Sequence, residues 1–598
     1  MELTGLDYAI IVGYFTVALA VGLYFARRAG SSLEEYIVSG RSLPWWIAGT
    51  SMVATTFAAD TPLAVTSLVV SDGISGNWLW WNMAIGGVLT VFLFARLWRR
   101  AGVMTDVELA EVRYSGKPAA FLRGFRAVYV ALFLNSLIIA WVTIAMVTVL
   151  KVCVGWDPQV TILVLIAVTG LYAVLSGLWG VVITDFLQFI MAMVGCIVLA
   201  WLCMDKIGGL DGLHRGLNDH FGMDHEVLNF IPSFGAKAWL PFNLFCIYLG
   251  VLWWASWYPG AEPGGGGYVV QRMASCKNEK HSVLATLWFT VAHYCIRPWP
   301  WIFVALAALV MYPELKGAKN PGEGFPMMMS VVLPAGWRGL LLVSFFAAYM
   351  STLSTQINWA TSYLVSDFYK RFLVKSGTDR HYAMASRITT VIVLLFGVGM
   401  TFLLLNSEQI SGRIDRIWKL LLLFGAGTGS VLILRWYWWR VSAWSEIASM
   451  LASALGACYL YFGSELADEV KIVYVTIFSI AAWIVITMLS PPTDEKKLLE
   501  FYRKVRPGGV GWKPIRRLAP EVKADQALHL DFLNWILGIV VVFSALFGIG
   551  RFLLGHRYSG LGLLVMAVLA GWLISRNLVK TGWAKEEECE EQPASRAL

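Results

Sequence analysis

The chain has 598 residues; 58% are hydrophobic, only 14% are charged, and the mean hydropathy is +0.64. Soluble globular chains carry about 25% charge, so the composition excludes an ordinary soluble domain and indicates an all-α polytopic membrane protein. The net charge of +8 is accounted for by basic loops on one face of the membrane, and the eight cysteines are scattered without CxxC spacing, which argues against a disulfide framework or a zinc site.

About fifteen apolar spans are expected, near 7–27, 45–70, 78–98, 124–150, 159–178, 181–204, 239–258, 281–311, 335–368, 384–406, 414–435, 443–463, 470–489, 529–552 and 559–576. The first begins with Glu2 and Asp7 and is too long for a cleaved signal peptide, so it is expected to remain. The second carries Thr55, Thr56, Asp60, Thr61 and Pro62 near its middle and reads as an interrupted helix. Asp60 there suits either of two roles, capping its own half-helix or receiving an ammonium group. A tight turn at SGLWG is expected between the fifth and sixth spans, with Asp185 just after it and Gln188 on the same face at i+3, where it suits holding the carboxylate. Asp185 is either an intramembrane functional carboxylate or a helix N-terminal charge.

The seventh span ends in Trp257-Tyr258-Pro259-Gly260 and runs into Pro263–Gly267, read as a flexible loop at the membrane edge. The eighth holds Arg297 between His293 and Pro298; it suits snorkelling to the interface or binding a carboxylate in a bidentate fork. In the ninth, AAYMSTLSTQIN places Ala348, Ser351, Thr352 and Thr355 on one face at i, i+3, i+4, i+7. A hydroxyl stripe beside freed backbone carbonyls suits a hard cation such as sodium; the same residues also let helices pack closely.

With the N-terminus outside, most Lys and Arg, including Arg113, Arg272, Arg435 and the basic 490–528 loop, fall on the cytoplasmic side. The expected divisions are 1–44, an extra helix and loop; 45–204, a first five-helix repeat; 205–238, an extracellular loop; 239–435, a second repeat; 436–489, two helices; 490–528, a cytoplasmic connector; 529–576, two helices; and 577–598, a cytoplasmic tail. An odd number of spans per repeat inverts one repeat relative to the other. No phosphate loop, nucleophile elbow or metalloprotease motif is present, so an enzyme is not expected.

Four motifs, in order, carry a resemblance: GRSLPWW from Gly40, TDFLQFIMAMVG from Thr184, YVVQRMASCKNEKHS from Tyr268, and AAYMSTLSTQIN followed by SDFYKRF from Ser366. Over roughly residues 1–490 the chain resembles the sodium/solute symporter family of sodium-coupled sugar, proline and sialic-acid transporters. The resemblance implies a LeuT-type 5+5 inverted-repeat core and one or two Na+ ions as cofactor. It implies a main sodium site from the carbonyls of Ala54, Phe57 and Ala348 and the hydroxyls of Ser351 and Thr352. A second site would involve Asp185, Ser351, Ser354 and Thr355. By the same resemblance, the sugar-binding acid and amide of relatives are replaced by Trp80 and Trp418. The solute site is then expected around Thr56, Asp60, Trp80, Ser256, Trp257, Arg297 and Trp418, for a small organic solute that is anionic or zwitterionic. The expectation is a symporter of the plasma (inner) membrane, with a non-transporting membrane sensor of the same fold as the alternative.

Overall fold

The computed structural model describes residues 2–29, 37–234, 239–255, 263–406, 414–523, 525 and 527–580. The described residues are helical throughout and form no sheet; one isolated bridge joins Leu43 to Cys276. The principal helices are α1 (Gly5–Ala29), α2 (Trp45–Thr56), α3 (Asp60–Asp72), α4 (Ile74–Ala101), α5 (Gly116–Val154), α6 (Pro158–Lys206), α7 (Phe242–Gly250), α8 (Gly267–Ser275), α9 (Glu279–Met311), α10 (Trp337–Leu373), α11 (Asp379–Leu405), α12 (Ile414–Gly425), α13 (Gly429–Tyr437), α14 (Ala443–Gly463), α15 (Asp468–Leu489), α16 (Glu495–Val505), α17 (Lys513–Leu518), α18 (Leu528–Leu553) and α19 (Arg557–Lys580). Ten of the described helices are long and apolar enough to cross a membrane, and the bent pair α2–α3 makes an eleventh. Four shorter apolar stretches, Gly5–Val21, Pro158–Gly170, Phe242–Trp254 and Leu421–Tyr437, lie where the remaining expected spans fall.

The interruption expected in the second span is present: α2 and α3 meet at a bend of 59°. Its cause is local. Pro62 has no N–H to give to the carbonyl four residues back, and its ring would clash there, so it is accommodated only in the first turn of a new helix. Asp60 opens that helix. On the other side, the Thr56 hydroxyl donates to the carbonyl of Val53 at 2.8 Å, closing the end of α2.

Three expectations are corrected. Pro263–Gly266 is not a membrane-edge loop: these residues are buried, and with α8 they form an interior segment packed on α4. Gly265 has φ +88, and a Cβ there would lie 2.9 Å from Met273 Cε and 3.3 Å from Trp98 Nε1, so the glycines serve close approach rather than flexibility. The SGLWG turn is absent; backbone helix runs unbroken from Pro158 to Lys206, a stretch with no internal proline to remove a donor. The 490–528 segment is not a plain connector but a folded cap. Leu498, Phe501, Tyr502, Val505, Trp512 and Ile515 are buried, and the Arg113 guanidinium lies over the rings of Trp512 and Phe501 at 4.8 and 5.3 Å. Arg113 and Arg435, counted from sequence as loop charges, are accordingly buried, Arg113 donating to the carbonyls of Arg435, Trp438 and Trp439.

The helices beyond the core also bear on it. Helix α18 packs along α4, with an Arg96–Asp531 ion pair at 2.8 Å, a Trp535 indole bond to the Ile85 carbonyl, and Phe543 stacked on Trp78. The outward faces of α11, α14, α15 and α19 expose large aliphatic and aromatic side chains, as a lipid-facing belt does.

Candidate functional site

The hydroxyl stripe of α10 is buried against the α2–α3 break. Ser351, Thr352, Ser354 and Thr355 are all at most 2% exposed. Thr352 Oγ1 donates to the Thr55 carbonyl at 2.9 Å, and the Thr55 and Thr355 hydroxyls lie 3.4 Å apart. Ala348 sits one turn earlier on the same face of α10. Across the seam, Ala54 lies in the last turn of α2, and Phe57 caps it in a non-helical conformation, φ −89 and ψ 72. Ala54 and Phe57 on the α2 side, and Ala348 and Ser351 on the α10 side, flank this Thr55–Thr352 contact. The donor set is neutral hydroxyl and carbonyl oxygen, which suits a hard cation and offers a soft metal nothing.

Asp185 is not a superficial helix charge. It is fully buried on α6 and accepts from Ser351 Oγ at 2.5 Å and Ser51 Oγ at 2.6 Å. Ser351 thus links the carboxylate to the hydroxyl stripe of α10. Gln188, expected to hold Asp185, instead donates to the Tyr14 hydroxyl at 2.6 Å; the long amide reaches α1 rather than folding back. Ser354 donates to its own helix at the Ser351 carbonyl, 3.2 Å.

The feature missed from sequence is Arg272. It was counted among basic loop residues, yet it is fully buried on α8. Its Nη2 donates to Thr355 Oγ1 at 2.9 Å and lies 3.9 Å from Asp185 Oδ2. Its Nε donates to Ser51 at 3.3 Å and its Nη1 to Gln271 Oε1 at 2.8 Å. Two of the residues expected to hold a second sodium, Asp185 and Thr355, thus meet a guanidinium. The signal was its position on the apolar segment YVVQRMAS; proximity to Lys277 and Lys280 obscured it.

Near the break lies a cavity lined by Thr56, Asp60, Trp80, Arg297 and Trp418, all expected, and by Trp141, Phe289, His293 and Tyr294, which were not. Ser256 and Trp257 lie outside the described residues. Arg297 is buried and donates through Nη1 to the Val53 carbonyl at 3.3 Å and to Thr56 Oγ1 at 3.0 Å, with Nη2 3.4 Å from His293 Nε2. Its guanidinium lies 5.2 Å from the centre of the Trp301 ring, on which Phe57 stacks. It therefore does not snorkel. It caps the C-terminal end of α2, where the helix dipole favours a cation.

A model of the sodium:solute symporter family matches residues 36–453. Sodium/glucose cotransporter 4 of Danio rerio is 23% identical over 474 residues, covering 73% of this chain and 68% of that protein. The sodium/glucose cotransporter of Vibrio parahaemolyticus is 24% identical over 478 residues, covering 77% and 86%. A Na+-coupled sialic acid symporter, solved in a substrate-bound outward-open state, superimposes with a TM-score of 0.67 at 21% identity, over 82% of this chain and 99% of its own. That likeness is one of fold, and the all-helical architecture expected from sequence is the one found. The broken helix, the buried hydroxyl stripe and the match over most of the chain agree: the protein belongs to the sodium:solute symporter family, membrane transporters that couple a solute to sodium, and is not an enzyme.

Proposed function

We propose that the chain imports a small zwitterionic organic solute across the plasma membrane by alternating access, with sodium bound first at the seam between α2 and α10. The observation that carries this reading is the Thr352 hydroxyl on the Thr55 carbonyl, beside Ser351 and the α2 break. Sodium held by Ala54, Phe57, Ala348, Ser351 and Thr352 would fix α10 against α2 and so shape the neighbouring cavity. One acidic and one guanidinium side chain line that cavity, Asp60 and Arg297, which favours a solute with both charges over a purely anionic one.

The proposed stoichiometry is one sodium. A second ion among Asp185, Ser351, Ser354 and Thr355 would have to compete with the Arg272 guanidinium for Asp185 and Thr355. One sodium supplies roughly 2.3 kcal/mol per 100 mV and about 1.4 for a tenfold gradient, enough for several-hundred-fold accumulation of a net-neutral solute. The proposed orientation has the N-terminus outside and the 490–528 cap and C-terminus in the cytoplasm, with 45–204 and 239–435 as the inverted repeats.

The test is uptake into proteoliposomes of purified full-length protein, using radiolabelled amino-acid and ammonium solutes under an inward sodium gradient or an equal potassium gradient. Accumulation under sodium alone is expected. Sodium-dependent solute binding without uptake under either gradient would instead support the sensor.

A further inference from the structure

One oxygen of the cavity's carboxylate, Asp60, has no donor. Asp60 is 3% exposed and lines the cavity, yet its Oδ1 has no hydrogen-bond partner. Its remaining interactions are the charge of Arg297, the Trp141 side chain and backbone N–H groups at the start of α3, the positive pole of that half-helix. A buried acceptor left unpaired is costly, more so when charged, so this oxygen is placed for a donor that arrives with a ligand.

The rest of the lining identifies that donor. Four cavity threonines use their hydroxyl protons internally: Thr56 on Val53, Thr61 on Thr56, Thr90 on Gly86 and Thr286 on Ser282, all at backbone carbonyls. Towards a ligand they can only accept. Among the described residues, no asparagine or glutamine lines the cavity. A polyhydroxyl solute needs donors and acceptors alternating around it, and the threonines of this wall offer only acceptors. What it has in quantity is aromatic surface. Trp80 stacks on Tyr294 at 5.7 Å, both rings contact His293, and His293 contacts Phe289. Trp141 and Trp418 complete the lining. Aromatic faces beside an unpaired carboxylate attract a weakly hydrated cation.

We infer that Asp60 and the surrounding aromatic wall form the binding site for an ammonium group of the transported solute. The inference rests on the symporter reading and specifies its solute. An ammonium N–H or polarised N–CH3 group faces Asp60 Oδ1, its other sides lie against the rings, and an anionic end, where the solute has one, is left towards Arg297.

The experiment is thermal unfolding and equilibrium binding on purified full-length protein in sodium and in potassium. The probes are choline, glycine betaine, L-proline and L-lysine, set against the uncharged tert-butyl isostere of choline, D-galactose and N-acetylneuraminate. At least one ammonium probe should stabilise the protein in sodium, and choline should do so more than its isostere if it is that probe. Asp60→Asn should weaken the active probe roughly tenfold or more while the response to sodium alone persists, and Asp60→Glu should recover part of the affinity. A protein that responds to sodium but to no ammonium probe overturns the assignment. So does one that responds to galactose or N-acetylneuraminate alone, or one in which Asp60→Asn binds the ammonium probe as tightly as the unmodified chain. Because the probe comparison is made on the unmodified protein, it decides the matter even if Asp60→Asn fails to fold. Absence of any sodium response would count against the symporter reading instead.

Discussion

Arg272→Gln is the most informative perturbation of the seam. The guanidinium lies 3.9 Å from Asp185 and donates to Thr355, Ser51 and Gln271, with both charged partners fully buried. Removing one member of such a pair leaves an uncompensated buried charge and costs about 3–5 kcal/mol. The two serine hydroxyls on Asp185 remain, but neutral dipoles do not replace a cation. In potassium the variant should therefore be markedly less stable than the unmodified protein. In sodium the outcome differs, because the space vacated is bounded by Asp185, Ser351 and Thr355, oxygens that suit that ion. A second sodium binding there at about 100 times its Kd would return roughly 2.7 kcal/mol. Thermal unfolding of purified protein in matched sodium and potassium salts reads the rescue, and equilibrium binding of radioactive sodium counts the ions. The expectation is one sodium per chain in the unmodified protein, two in Arg272→Gln, and one again in Asp185→Asn/Arg272→Gln, which should also regain stability in potassium. Equal destabilisation in both salts with an unchanged ion count would refute the idea that Arg272 stands in a cation site.

Two further outcomes follow from the geometry. Arg297→Ala should weaken sodium binding as well as solute binding, because Arg297 holds Val53 and Thr56 at the end of α2 next to Ala54 and Phe57; charge-assisted hydrogen bonds are worth about 1.5–3 kcal/mol, and Arg297→Lys should recover only part because it cannot span Val53, Thr56 and His293 together. Unaltered sodium affinity in Arg297→Ala would show the guanidinium to be a solute contact alone. At the surface, burial opposes the charge of Glu111, but bonds from Arg371 and Arg123 outweigh it and hold its carboxyl below the ordinary 4.5. That contribution is complete above the ordinary value and is lost as pH falls through the lower folded value. Glu111→Gln should thus narrow the gap to the unmodified protein on acidification below about pH 4.5, by no more than about 1 kcal/mol for a partly exposed pair, as unfolding at stepped pH will show.

The parts of this site legible in sequence were those where a residue contradicts its surroundings. Four hydroxyls in an apolar run, and Pro62 inside an apolar span, signal burial for a purpose and a helix that cannot continue. Asp185 announced itself in the same way, although its partner was misread: Gln188 lies at the right spacing, but spacing on one helix says nothing about a serine on α2 or an arginine on α8. Arg272 was hidden by being basic near other basic residues, since orientation rules count charge without depth. Pro263–Gly266 was misread because glycine runs permit both flexibility and close approach, and only the positions of Trp98 and Met273 decide which. The 490–528 cap did carry a signal. Leu498, Phe501, Tyr502 and Val505 follow i, i+3, i+4, i+7, an amphipathic pattern in a segment otherwise marked by its charge. The unpaired oxygen of Asp60 and the internal bonding of the cavity threonines depend on three-dimensional neighbours and have no counterpart in the residue pattern.

The central claim is that sodium is held where the α10 hydroxyls meet the broken α2–α3 helix. Equilibrium binding of radioactive sodium to purified Ser351→Ala/Thr352→Ala tests it most directly. The two substitutions remove two of about five oxygens around the ion and put methyl groups in their place, so sodium binding at physiological concentration should be lost while the protein stays folded in potassium. A double variant that binds sodium with the affinity of the unmodified chain would contradict the site and the coupling mechanism built on it.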